Sequence, residues 1–213
     1  MKTDELITML ASGAEAAEPH ALRRRYALAL GWGAFGTTLL MAILLGARPD
    51  IAEAARLPMF WMKLAFPALV VAGALLATVR LSRPGMRLGR VPAAIAAPVL
   101  AVWLLAAVVL LSAAPAEQYK LVFGDTWASC PFNIAALSVP LFGALLWAMK
   151  GLAPTHLALA GTAAGLLAGA GGALIYSLHC VEMAAPFLGL WYVLGMSIPA
   201  AVGAAIGPSV LRW

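Results

Sequence analysis

Cys130 and Cys180 are the two cysteines of the chain, and a pair of thiols can bridge, report on oxidants or hold a soft metal. Ionisable neighbours stand close to both: His179 precedes Cys180, Glu182 follows two residues on, and Asp125 lies five before Cys130. Three chemistries compete. A structural disulfide requires the two Cα atoms to come within about 7 Å. A redox sensor uses a labile bridge to bias the packing of the helices that carry it. A metal site would draw on Cys130, His179, Cys180 and Glu182 as thiolate, imidazole and carboxylate donors, although their spacing matches no standard zinc motif. Enzymatic thiol–disulfide exchange asks for a C-x-x-C pair, which the sequence lacks.

Lipid must surround the elements that position these thiols. Of 213 residues, 63% are hydrophobic and 11% charged, more apolar surface than one soluble core of that size can hide. Apolar runs long enough to cross about 30 Å of hydrocarbon lie near Tyr26–Gly46, Phe60–Val79, Val91–Ser112, Phe132–Met149, Pro154–Ser177 and Pro186–Pro208. The short polar links between them, such as Ala47–Met59, Arg80–Arg90 and Ala113–Pro131, are too short to fold alone. The expected architecture is all-α: a polytopic membrane protein with a six-transmembrane-helix bundle over residues 26–213 and a short cytoplasmic N-terminal amphipathic segment and tether over 1–25.

Charge sets the expected orientation. With the N-terminus inside, the cytoplasmic side collects Lys2, Arg23, Arg24, Arg25, Arg80, Arg83, Arg87, Arg90, Lys150 and Arg212, ten of the fourteen Lys and Arg residues. That bias is the positive-inside pattern, with both termini cytoplasmic and both thiols on the outer, oxidising side. The net charge of +5 lacks the aromatic interleaving of a nucleic-acid surface, so direct nucleic-acid binding is not expected. Lys63, after Trp61 at the outer edge of the second span, reads as an anchor snorkelling to the interface.

The fifth span carries Gly161, Gly165 and Gly169 at four-residue spacing, and the sixth carries Gly203 and Gly207. Faces with so little side chain predict close helix packing within the bundle. Pro67, Pro98, Pro140 and Pro199 fall inside spans, where each removes a backbone hydrogen bond.

In the cytoplasmic segment Thr3 can cap a helix whose first turn holds Asp4 and Glu5, and Leu6, Ile7, Met9 and Leu10 fall on one stripe. So short a helix is marginal alone. Its polar residues are acidic and neutral rather than basic, which suits a protein groove better than a membrane surface. The stretch from Ser12 to Pro19 reads as a tether.

Taken together, Met1 to Ile7 with Leu10, the step from Leu22 into Arg23, Arg24 and Arg25, the run Trp127 to Ile134 around Cys130, Ser138 with Pro140, and the run His179 to Glu182 resemble the NrsF family, membrane-bound negative regulators of sigma-F-type extracytoplasmic-function (ECF) sigma factors. The likeness covers the chain in length and order of spans. It implies a non-enzymatic anti-sigma factor in the bacterial inner membrane whose partner is a cytoplasmic ECF sigma factor, held at Leu6, Ile7, Met9 and Leu10. It also implies release on oxidative or heavy-metal stress read at Cys130 and Cys180, with no required cofactor and a transient heavy-metal ion as candidate ligand. A change at those residues would pass from spans four and five through the glycine face to span one. The segment has His20 but no cysteine, so the usual soluble zinc-binding anti-sigma domain is missing. Rival readings from another class are a small membrane transporter and a membrane thiol–disulfide oxidoreductase. Oligomeric state is left open by the sequence.

Overall fold

In hydrocarbon every backbone N–H and C=O must find its partner within the chain, so long apolar runs close into helices. The computed structural model describes residues 3–5, 9 and 21–212. Six of its helices are long and apolar enough to span a membrane: α1 (Ala21–Leu44), α3 (Pro58–Leu81), α4 (Val91–Ser112), α6 (Cys130–Lys150), α7 (Leu157–Tyr176) and α8 (Ala185–Val210). Two short helices, α2 (Ile51–Ala54) and α5 (Pro115–Phe123), lie in links. The chain is a multi-pass, all-helical membrane protein.

Proline opens many of these helices. Pro58, Pro92, Pro115, Pro131 and Pro186 sit in first turns, where the missing N–H had no intrahelical partner to lose. The interior prolines Pro67, Pro98, Pro140 and Pro199 are accommodated inside α3, α4, α6 and α8.

The fifth span, α7, is the hub. It packs on α8, α3 and α6, whereas α1 leans chiefly on α6, and α4 touches α3 and the start of α8. Glycine permits this. A Cβ at Gly161 would overlap the Gly203 carbonyl, and one at Gly165 the Pro199 carbonyl, so the backbones of α7 and α8 are in direct contact. Around the other side, Gly172 takes the backbone of Ile134 and Ser138 on α6. The glycine face expected to lead to the first span is therefore turned to α8. What meets α1 is α6, with Gly33 seated on Leu141 and Gly36 on Pro140.

Changing Gly165 to alanine should push backbone against backbone. Overpacking of this kind costs about 1–3 kcal/mol, read as a thermal midpoint in detergent lowered by about 2–4 °C per kcal/mol. Gly143 faces open space, so Gly143→Ala should leave the midpoint unchanged or raise it, because alanine favours helix. Equal effects at the two positions would mean that the α7–α8 contact does not limit stability.

The buried core forms two clusters along the bundle axis. One, at the end bearing Arg25, Arg80 and Lys150, gathers Tyr26, Ala77, Leu81, Leu145, Met149, Ala164 and Leu167. The other, at the opposite end, gathers Phe66, Ile134, Leu137, Phe187, Tyr176, Tyr192 and both cysteines. At the basic end the first turns of α1 dock on α6, where Arg25 lies 5.0 Å over the Trp147 ring and donates to the Trp147 carbonyl at 3.2 Å.

The stretch Ala113–Pro131, expected to be a simple link, contains the nine-residue helix α5. Aromatic packing holds it: Tyr119, Phe123, Trp127 and Trp191 form a continuous ring cluster, and Trp191 donates through Nε1 to the Val122 carbonyl at 2.8 Å. These amphipathic rings suit the level of lipid headgroups.

Candidate functional site

Cys130 is the first residue of α6, and Cys180 sits in the loop from α7 to α8. Both are free thiols, 0% and 2% exposed, and both belong to one apolar cluster. Local backbone bonds fix them: the Cys130 N–H donates to the Thr126 carbonyl and the Cys180 N–H to the Tyr176 carbonyl, each at 3.0 Å. The Tyr176 hydroxyl lies against Cys130 and Asn133.

Lys63 closes the site from α3. Its side chain is fully buried rather than snorkelling outward as the sequence suggested. The reason is a set of acceptors brought from far along the chain. Nζ donates to the Cys180 carbonyl at 2.6 Å and to the Glu182 carbonyl at 2.7 Å, and stands 5.7 Å from the centre of the Tyr192 ring. A buried amino group is tolerable only when so partnered. Nζ is also within electrostatic range of both thiols.

A π-helical turn, Leu188–Tyr192, interrupts α8 and resets the register of the residues that follow. Tyr192 is thereby enclosed against Tyr176 and Lys63. Its hydroxyl is buried beside Cys180 and Ser177 yet has no partner in hydrogen-bonding geometry among the described residues. Unpaired buried hydroxyls are uncommon and mark places where packing has taken precedence over satisfaction.

The Cys180 loop is strapped from further directions. The Arg48 N–H donates to the Leu178 carbonyl at 3.0 Å, and His179 Nδ1 lies 2.9 Å from the Gly46 carbonyl, tying the loop to the link after α1. Glu182 Oε1 accepts from the Asp125 N–H at 2.8 Å, tying it to the link before α6. Gly124 lies beneath that carboxylate with φ +53°, so a side chain there would be strained and would also strike Glu182. Arg48, itself buried, forks onto Asp50 with Nε–Oδ1 2.7 Å and Nη2–Oδ2 2.6 Å. This bidentate bond holds the Asp50 carboxyl below its ordinary range and raises the guanidinium above its own.

A cavity of about 240 Å³ opens beside the loop, lined by Arg48, Thr126, Tyr176, His179 and Cys180. Thr126 contributes a buried hydroxyl without a partner among the described residues. Cys180 is thus the thiol that lines this cavity, whereas Cys130 does not line it.

The structure therefore brings Cys130 and Cys180 to one end of the bundle and into one cluster. It does not gather Cys130, His179, Cys180 and Glu182 as a metal set. His179 turns to Gly46 and Glu182 to Asp125, and no three His, Cys, Asp or Glu side chains converge on a metal position among the described residues. Of the segment residues, Met9 is helical and 63% exposed, while Leu6, Ile7 and Leu10 lie outside the described residues. Lys63, Arg48, Tyr176 and Tyr192 are site residues that sequence reasoning missed. Lys63 had a signal, a lysine set within an apolar run, but its direction depended on the distant loop.

Comparison with known proteins returned one family, described as "Negative regulator of sigma F" (NrsF), matching residues 10–213. Two similar full-length relatives are a "Probable anti-sigma-F factor NrsF" of Azospira oryzae, 58% identical over 213 residues, and an "Anti-sigma-F factor NrsF" of Caulobacter vibrioides, 40% identical over 215 residues; in both cases all of each chain is covered. No solved structure matches.

Proposed function

Since the chain belongs to the NrsF family of negative regulators of sigma F, we propose that it is a membrane-bound anti-sigma factor that sequesters an ECF sigma factor and releases it when oxidative or heavy-metal stress is read at Cys130 and Cys180. It acts by binding, without catalysis. The bundle sits in the bacterial inner membrane with both termini and the basic end in the cytoplasm, and the cysteine end faces the periplasm. The stripe Leu6, Ile7, Met9 and Leu10 forms the sigma-binding face.

The observation that carries this reading is the placement of two free thiols at one end of a bundle whose other end begins at the N-terminal segment. Helix α3 touches both ends. Near its start Lys63 holds the Cys180 loop, and near its finish Tyr26 of α1 hydrogen-bonds to Ser82 and, at 3.4 Å, to the Thr78 carbonyl. From Lys63 to Ser82 the helix spans about 28 Å. Peroxide, taking two electrons and the two thiol protons and leaving as water, joins Cys180 to Cys130, or a soft metal ion replaces the Cys180 thiol proton; either new bond displaces the loop and strips Lys63 of its acceptors. A buried amino group without acceptors costs several kcal/mol, so α3 shifts to relieve it. Tyr26 then carries the shift to the first turns of α1 and the segment ahead of them.

Copurification of the full chain from its own cells, before and after exposure to cadmium or peroxide, tests the proposal. A sigma factor should accompany the unstressed chain and leave on exposure, and the single variants Cys130→Ser and Cys180→Ser should each retain it. Absence of any sigma factor would sink the anti-sigma reading, whereas release from both variants as from the parent chain would remove sensing from the cysteines.

A further inference from the structure

At the basic end, a groove of about 420 Å³ opens between α1 and α3. Its walls are apolar, with Leu30, Leu75, Leu76 and Val79 among them, and two arginines, Arg23 and Arg83, stand at its mouth. Two other arginines at this end are already engaged. Arg25 is tied to Trp147 and Arg80 donates to the Leu88 carbonyl at 2.7 Å. Among the described residues Arg23 and Arg83 make no side-chain hydrogen bond or ion pair, and no acidic side chain lines the groove.

We propose that this groove binds an anionic glycerophospholipid. The headgroup phosphate lies between Arg23 and Arg83, and one acyl chain runs along Leu30, Leu75, Leu76 and Val79. Guanidinium is suited to the phosphate because its planar fork can donate two parallel bonds, and basic pockets between helices at the bilayer surface bind anionic headgroups on this principle. The chain supplies the second half of the fit, since a free phosphate would leave the apolar walls uncovered. Tyr26 also borders the groove while holding α3, so the lipid sits on the joint between α1 and α3. The assignment rests on the groove alone and is independent of sigma binding.

Native mass spectrometry of the full chain in mild detergent, titrated with phosphatidylglycerol or phosphatidylcholine, tests it. Phosphatidylglycerol should bind preferentially, and the double variant R23Q/R83Q should lose about ten-fold in its binding. The control R87Q/R90Q removes the same charge outside the groove and should retain binding, with helicity by circular dichroism confirming that both variants fold. Soluble glycerol 3-phosphate should not displace the lipid. Equal losses in both double variants, no preference between the lipids, or displacement by glycerol 3-phosphate would each overturn the proposal. So would lipid binding that appears only after residues 1–20 are removed, which would identify this protein's own segment as the occupant.

Discussion

A chain lacking residues 1–20 inserts and accumulates normally but no longer represses, so that a reporter of the sigma factor's own promoter rises to the level seen without the chain. The deletion spares Arg23, Arg24 and Arg25, which remain in the first turns of α1 and keep the charge bias that orients it. It removes Leu6, Ile7, Met9 and Leu10, each able to contribute about 1.5–3 kcal/mol on full burial in a partner's groove. The links between helices at the basic end, residues 82–90 and 151–156, are less than half as long as the deleted stretch. The single change Leu6→Asp should reproduce much of the effect, because a carboxylate cannot enter an apolar groove without a partner. Reporter output and copurified sigma factor are the measurements. Full repression by the shortened chain would end the docking account and direct the search to the links of the bundle.

Lys63→Met is expected to produce the second large effect, this time at the opposite end of the bundle. Methionine keeps most of the apolar stem but donates nothing, leaving the Glu182 carbonyl without its donor and the Cys180 carbonyl with only the long 3.5 Å bond from Arg48 Nη1. An orphaned carbonyl costs about 1–3 kcal/mol. The loop after α7 should then open more often, with amide exchange across residues 178–184 accelerated by about ten-fold for every 1.4 kcal/mol lost. If the loop transmits the signal, this variant releases the sigma factor without any stress, while Lys63→Arg, which retains donors, is milder. Unchanged exchange would show that the loop does not depend on Lys63. Faster exchange with normal repression would instead separate the clamp from the signal.

How much of this was written in the sequence differs from feature to feature. The spans were legible because hydrocarbon demands long apolar runs, and the structure shifts their ends by only a few residues, as in α7, which starts at Leu157 rather than Pro154. The approach of α7 was legible in its glycine spacing, but the neighbour was not: four-residue periodicity shows that a face is bare without naming the helix that fills it. Lys63 stood out as a lysine in an apolar run, but its direction could not be read from its surroundings. Its acceptors lie 117 and 119 residues further on, and a lysine at an apolar boundary can turn outward to water or inward to carbonyls with the same local sequence. Helix α5 was hidden for a related reason, since its aromatic residues gain a packing surface only when Trp191 of α8 arrives.

The central position of α7 also orders the birth of the protein. A ribosome delivers α1 and α3 to the bilayer before their main supports exist: α1 rests on α6, and α3 rests on α7. Helix α1 must therefore wait in lipid for α6, and α3, with α4 beside it, for α7, each stable in its own backbone bonds. Assembly becomes a late event, completed when the glycines of α7 meet the backbone of α8. A nascent chain halted before Leu157 would hold four of its six crossings but not the helix that packs on both α3 and α6.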